Sequence, residues 1–198
     1  ERSEQAVRLA RTCLNLIDGD EDVTVPLLQA LSALVAHHVL VSAGTPGAER
    51  SPAVFERSLL AHLADRGAGA LGINLDAMAR AGDALRDRLS PEQFGIVRRL
   101  GDDFHSRLAG GTPSTAQALD ALQRLALQLA AATGAQTDRM TRDHGWRLLS
   151  VGRLLERLGG MAGAMRWLIG SIDPRGGSAV ATSLLLDLFD SGITFRAR

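Results

Sequence analysis

Apolar residues return at intervals of three and four along most of the chain, and no stretch reads convincingly as a strand with its period of two. The pattern predicts helices over residues 2–17, 25–42, 53–65, 71–89, 91–108, 114–133, 137–172 and 179–196. Several ends carry their own signals. Ser90-Pro91-Glu92-Gln93 reads as an N-cap, a proline at the first helical position and an acid and an amide in the first turn. Gly110-Gly111-Thr112-Pro113-Ser114 reads as a glycine stop followed by a new cap. Two segments rich in Gly, Pro and small residues, 43–51 and 173–178, are expected to be surface loops, the first being the more prone to disorder.

The segment after Thr137 is the most informative. On a helical projection, Arg142, Trp146, Arg153 and Arg157 fall in a sector about 60° wide, flanked by Glu156 and Leu149 on one side and by Ser150 and Asp143 on the other. Leu148, Val151, Leu155, Leu158 and Ala162 lie on the far side, and the expectation is that this leucine side is buried. The charged side then meets water, a neighbouring helix or a ligand. A solvated face would hold only weak ion pairs. An inward face would pair Arg153 and Glu156 with residues of the first helix in a polar centre that must be fully hydrogen-bonded. A ligand site would use guanidinium forks on a carboxylate or phosphate.

The same segment contains Gly145, Gly152, Gly159, Gly160 and Gly163, each costing roughly 1 kcal/mol relative to alanine inside a helix. Either the helix breaks near Gly159-Gly160, or a neighbouring helix comes close across Gly152, Gly159 and Gly163. The doublet Glu156-Arg157 also occurs at the start of the chain as Glu1-Arg2, ahead of Arg8 and Arg11. Each copy precedes a loop and a leucine-rich helix, so the fold class is all-α, a multi-helix bundle with two pseudo-symmetric Glu-Arg helices.

Composition narrows the chemistry. The 198 residues suit one domain over 1–198, and 22 basic residues balance 22 acidic ones, which argues against a nucleic-acid or anionic-membrane partner. Every basic residue is Arg, so a lysine nucleophile, Schiff base or phosphate-binding lysine is excluded. Cys13, the sole cysteine, sits in the apolar register of the first helix; a core thiol without a disulfide fits a cytoplasmic setting. No apolar run is long enough to span a membrane. The chain opens at Glu1 already inside a helical pattern, as expected of a piece of a longer polypeptide. The five histidines form no Glu-x-x-His pair, so no metal and no cofactor is expected, and His37-His38 is expected to be structural, with at most one ring facing the core.

Met140-Thr141-Arg142-Asp143, Gly145-Trp146-Arg147-Leu148-Leu149, Gly152-Arg153 and Glu156-Arg157 together resemble the signature of the alpha-E family, an all-helical group named for its Glu-Arg motif. Asp87-Arg88-Leu89-Ser90-Pro91-Glu92 resembles that family's mid-chain segment, and Glu1-Arg2-Ser3-Glu4 with Ala6 and Arg8 resembles the first copy of its motif. The chain departs from the pattern in lacking the Gly-Arg ahead of the first doublet and in the irregularity brought by His144 and Gly159-Gly160. The resemblance implies a helical module fused to, or encoded beside, circularly permuted ATP-grasp proteins, often near transglutaminase-like peptidases, and thus a role in ATP-dependent amide or peptide formation. It carries Glu1, Arg2, Arg142, Asp143, Trp146, Arg153, Glu156 and Arg157 as the candidate functional cluster.

Two functions follow as expectations. One is an accessory module that docks with, or delivers substrate to, an ATP-grasp-type ligase domain or protein. The other is an enzyme or anionic-ligand-binding domain in its own right, centred on Glu1, Arg2, Arg153, Glu156 and Arg157, with a glutamate as general base and the arginines orienting an anion. A solvent-reached cleft on both doublets favours the second reading; a sealed, paired cluster favours a scaffold.

Overall fold

A computed structural model of the chain describes residues 1–19, 24–67, 69–169 and 178–189. These residues form eight α-helices and one 3-10 turn, with no strand among them. The helices are α1 (Arg2–Asp18), α2 (Val25–His37), α3 (Pro52–Ala64), α4 (Ala70–Ala84), α5 (Pro91–Leu108), α6 (Thr115–Arg139), α7 (His144–Ile169) and α8 (Ser178–Leu188), the 3-10 turn being Arg86–Arg88. Helix α1 is the hub and packs against α2, α3, α4, α6, α7 and α8. It buries Ser3, Ala6, Val7, Leu9, Ala10, Cys13 and Leu14, a helical stripe of small and branched side chains that lets neighbours approach on several sides. Helices α4, α5 and α6 form a second packed layer, with Leu75, Leu100, Phe104, Leu122 and Leu125 filling the space between. The Cys13 thiol lies in this common core, and burial, with Glu56 adding to it, pushes its pKa up to about 12.

Two helix starts match their sequence signals. Ser90 accepts from the Gln93 N–H, and Ser114 and Gln117 form a reciprocal capping box that opens α6. Four boundaries differ from expectation. Helix α2 stops at His37 because the chain closes a Schellman turn: the Leu40 N–H donates to the Val35 carbonyl, the Val39 N–H donates to that of Ala36, and Val39 takes φ +52°. Leu40 and Val35 are both fully buried, and that apolar contact holds a β-branched residue in a conformation usually given to glycine. Helix α4 stops at Ala84 and tightens into the 3-10 turn, since Ser90 precedes a proline and must be extended. Helix α6 runs through Gly134 to Arg139, held by Thr133 on Glu4 and by the buried Gln136.

The fourth difference concerns the long helix expected over 137–172. It is divided at Asp143, whose carboxylate accepts the Trp146 N–H and whose carbonyl accepts that of Arg147, so that α7 begins there. From that cap α7 is continuous through Gly159-Gly160; the expected break there does not occur. Nor, among the described residues, does any neighbouring element approach Gly152, Gly159 or Gly163 within 4 Å of where a side chain would start. Residues 43–51, expected as the more disorder-prone loop, are tied down: Ser32 accepts the buried Ala48 N–H, and Ser58 accepts the Ser42 N–H and bonds Thr45. The expected loop at 173–178 lies outside the described residues apart from Ser178, and so does the end of the last helix beyond 189.

The sidedness of α7 is opposite to that expected. Leu148, Val151, Leu155, Leu158 and Ala162 face outward, and α7 buries only Ala164 and Leu168. The two Glu-Arg helices are therefore not equivalent, α1 being enclosed and α7 peripheral.

Since Val39 is half exposed, replacing it with glycine removes the positive-φ strain and little packing. Val39→Gly is expected to raise stability by about 1 kcal/mol in urea denaturation, whereas a neutral or destabilising result would mean that the turn carries no strain at this position.

Candidate functional site

The charged side of α7 turns inward because its groups find partners on α1 and α8. Arg2 lays a two-toothed fork on Glu156, Nε to Oε2 at 2.7 Å and Nη2 to Oε1 at 2.5 Å. Arg153 reaches back toward α1, its Nη2 lying 3.6 Å from Glu1 Oε2 and 3.8 Å from Glu4 Oε2, and Thr133 donates to the other oxygen of Glu4 at 3.1 Å. The doublets therefore meet, but crosswise: Glu1 pairs with Arg153 rather than Arg157. Arg157 instead donates to the Phe189 carbonyl at 3.1 Å, and Arg8 donates to that of Leu188 at 3.4 Å. Both guanidinium groups sit at the C-terminal end of α8, where they satisfy carbonyls that the helix leaves open and meet its negative pole.

The cluster is graded in exposure. Glu1 is 5% exposed and Arg153 28%, whereas Glu156 is 39% and Arg2 69% exposed. It is neither sealed nor washed on all sides. A cavity of about 640 Å³ opens on its wet edge, lined by Arg2 and Glu156, by His37 and His38 from the end of α2, by Asn74 of α4 and by the glycine side of α7. A second, of about 270 Å³, is lined on the other side by Glu1, Gln136, Trp146, Ser150, Arg153 and Arg157. The indole Nε1 of Trp146 is buried and has no hydrogen-bond partner among the described residues.

Asp143 and Arg142 belong to the α7 cap rather than to the crossed pairs. Arg88 donates to the Asp143 carboxylate, and the Arg142 guanidinium stacks 5.6 Å above the Trp146 ring. The Trp146 N–H, with Arg88 adding to it, holds the Asp143 carboxyl below its ordinary value. Glu156 is held below its ordinary value chiefly by the hydrogen bonds from Arg2. Burial and the neighbouring His37 push His38 down, which favours the neutral ring. A carboxyl pKa raised toward 7 suits a catalytic acid or base working near neutral pH, and Glu156 and Asp143 are both shifted the other way.

Several members of this site have no sequence signal as strong as the doublets. Gln5 donates from Nε2 to the Glu156 carbonyl at 3.1 Å and lies against Gly160, one turn along α1 from the first doublet. His37 and His38 stand edge to face at 5.6 Å on the cavity wall; neither is in the core, because α2 ends at His37. Their adjacency at a helix terminus was the available signal, but it depends on the Val39 turn. Among the described residues no three or more of His, Cys, Asp and Glu are placed to hold a metal ion, and no helix is long and apolar enough to cross a membrane.

A protein-family model described as a predicted alpha-helical domain with a conserved ER motif matches residues 1–198, the whole chain. No curated protein and no solved structure matches.

The Arg2–Glu156 contact gives a pH signature. Glu156 titrates lower in the folded chain than its ordinary 4.5, so the contact stabilises fully above that value and is lost as the pH falls through the folded pKa. Solvent screens so exposed a pair to about 0.5–1 kcal/mol. Arg2→Ala and Glu156→Gln are each expected to lower stability by about that amount near pH 7 and by much less near pH ~3. Equal losses at the two pH values in urea titrations would show that the pair contributes no ionic stabilisation.

Proposed function

Because the chain belongs to the Alpha-E family, we propose that it is a helical accessory module of an ATP-grasp-linked, amide- or peptide-bond-forming system, acting by docking with or presenting substrate to the ligase rather than by catalysis of its own. The observation that carries this reading is the crossed engagement of the two doublets. Arg2 occupies both oxygens of Glu156, and Arg153 lies between Glu1 and Glu4, so the groups that would serve as base and anion clamp are used to fasten α7 to α1. A carboxylate gripped by a guanidinium fork is a weak proton acceptor and a good strut. The partner class comes from the setting that the Glu-Arg signature implies, an adjacent or fused circularly permuted ATP-grasp protein. The buried Cys13 thiol fits a cytoplasmic location.

A second reading has its own observation. Arg2 and Glu156 line an open cavity together with His37, His38 and Asn74, which is the arrangement of a site for a small anionic or zwitterionic ligand. In that reading the Arg2 fork is displaced from Glu156 onto a carboxylate or phosphate.

The test is reconstitution with the ATP-grasp-type ligase encoded with the family member. The chain alone is expected to turn over no ATP, and the ligase is expected to form product faster in its presence. His37→Ala with Asn74→Ala, both on the cavity wall but taking no part in the ion pairs, is expected to leave that stimulation unchanged. Loss of stimulation in a variant of unchanged melting temperature would favour the ligand site, and a ligase indifferent to the chain would remove the accessory reading altogether.

A further inference from the structure

The outward side of α7 has a regularity that the Glu-Arg contacts do not use. Leu148, Val151, Leu155, Leu158, Ala162, Met165 and Ile169 follow one another at alternating steps of three and four, the seven-residue repeat of a helix seam, over about 30 Å of helix. All seven are exposed, Leu148 at 74%, Leu155 at 64% and Leu158 at 65%. Beside the seam, Gly152 and Gly159 stand seven residues apart, with nothing among the described residues within 4 Å of where their side chains would begin. A seven-residue repeat flanked by open glycines fits a second helix lying along the first at close range; a flat surface or a small molecule has no use for that periodicity.

We propose that this face is the interface between two copies of the chain, paired α7 against α7 about a two-fold axis. Three observations identify the occupant as a second copy. With Leu154, the seam exposes roughly 750 Å², above the ~300–600 Å² typical of the largest apolar patch on a monomer and close to the ~800 Å² that each partner gives to a standard stable interface. The required partner is a helix with a matching seven-residue apolar repeat, and α7 itself supplies one, so a single isologous contact covers both stripes. The chain carries no net charge, so copies meet without long-range repulsion. The seam borders the Arg2–Glu156 cavity, with Leu155 and Gly159 lining both, while the ion pairs themselves face α1; the pairing stands or falls independently of the accessory role.

Light scattering and sedimentation of the purified 198-residue chain are expected to give twice its mass of 21.0 kDa at micromolar concentration. Leu155→Glu with Leu158→Glu is expected to give a monomer of unchanged far-ultraviolet circular dichroism, because both side chains are exposed in the single chain. Leu127→Glu, at an equally exposed leucine of α6, is expected to remain dimeric. A wild-type chain that stays monomeric, including one that captures a different partner on this face, would overturn the proposal. So would a dimer that survives the double substitution or is broken equally by Leu127→Glu.

Discussion

The orientation of one helix decides most of what this chain presents to its surroundings, and that orientation turns charged groups rather than leucines toward the first helix. Helix α7 carries leucines on one side and arginines on the other, and the usual hydrophobic preference would turn the leucines inward. The fork from Arg2 to Glu156, the placing of Arg153 between Glu1 and Glu4, and the grip of Arg157 on the end of α8 fix the opposite choice. None of these contacts is strong alone, since the pair at the solvent edge is screened. They act together along little more than one turn of the helix, while Ala164 and Leu168, with the partly buried Met161, supply the apolar anchoring of α7.

This arrangement accounts for both the site and the surface. Turned inward, the charged groups border open cavities and pair crosswise, which joins the start of α1 to the 153–156 turn of α7. Turned outward, the leucines form an exposed seam among the described residues. A helix buried on both sides would have produced neither feature. The glycines of α7 fit the same scheme: they keep its surface low beside the seam and along the Arg2–Glu156 cavity, and they cause no break, because a helix capped at Asp143 and fastened at several points tolerates their cost.

Much of the fold was legible from the residues. Helices α1, α3 and α5 lie within a residue or two of their expected limits, since apolar periodicity and the Ser90 cap are local signals. The end of α2 was not legible: the apolar run continues past His37, and only the burial of Leu40 against Val35 makes a valine adopt a glycine-like turn. That Arg153 and Glu156 meet the first helix was one of the readings open from the sequence, and the meeting is found. The crossed partners, the role of Arg157 at α8, and His37, His38 and Asn74 on the cavity wall depend on where distant helices lie. The leucine side of α7 misled for a physical reason, namely that amphipathic pattern identifies two faces without saying which one a set of ion pairs will claim.

The state of Cys13 has a practical consequence. With its sulfur enclosed in the core and its proton held up to about 12, the native chain offers no thiolate to maleimides, spin labels or oxidants under ordinary conditions. Any cysteine introduced on the surface then becomes the only reactive handle on the molecule, so single dyes or paramagnetic tags can be attached at chosen helices without first engineering a background free of native thiols.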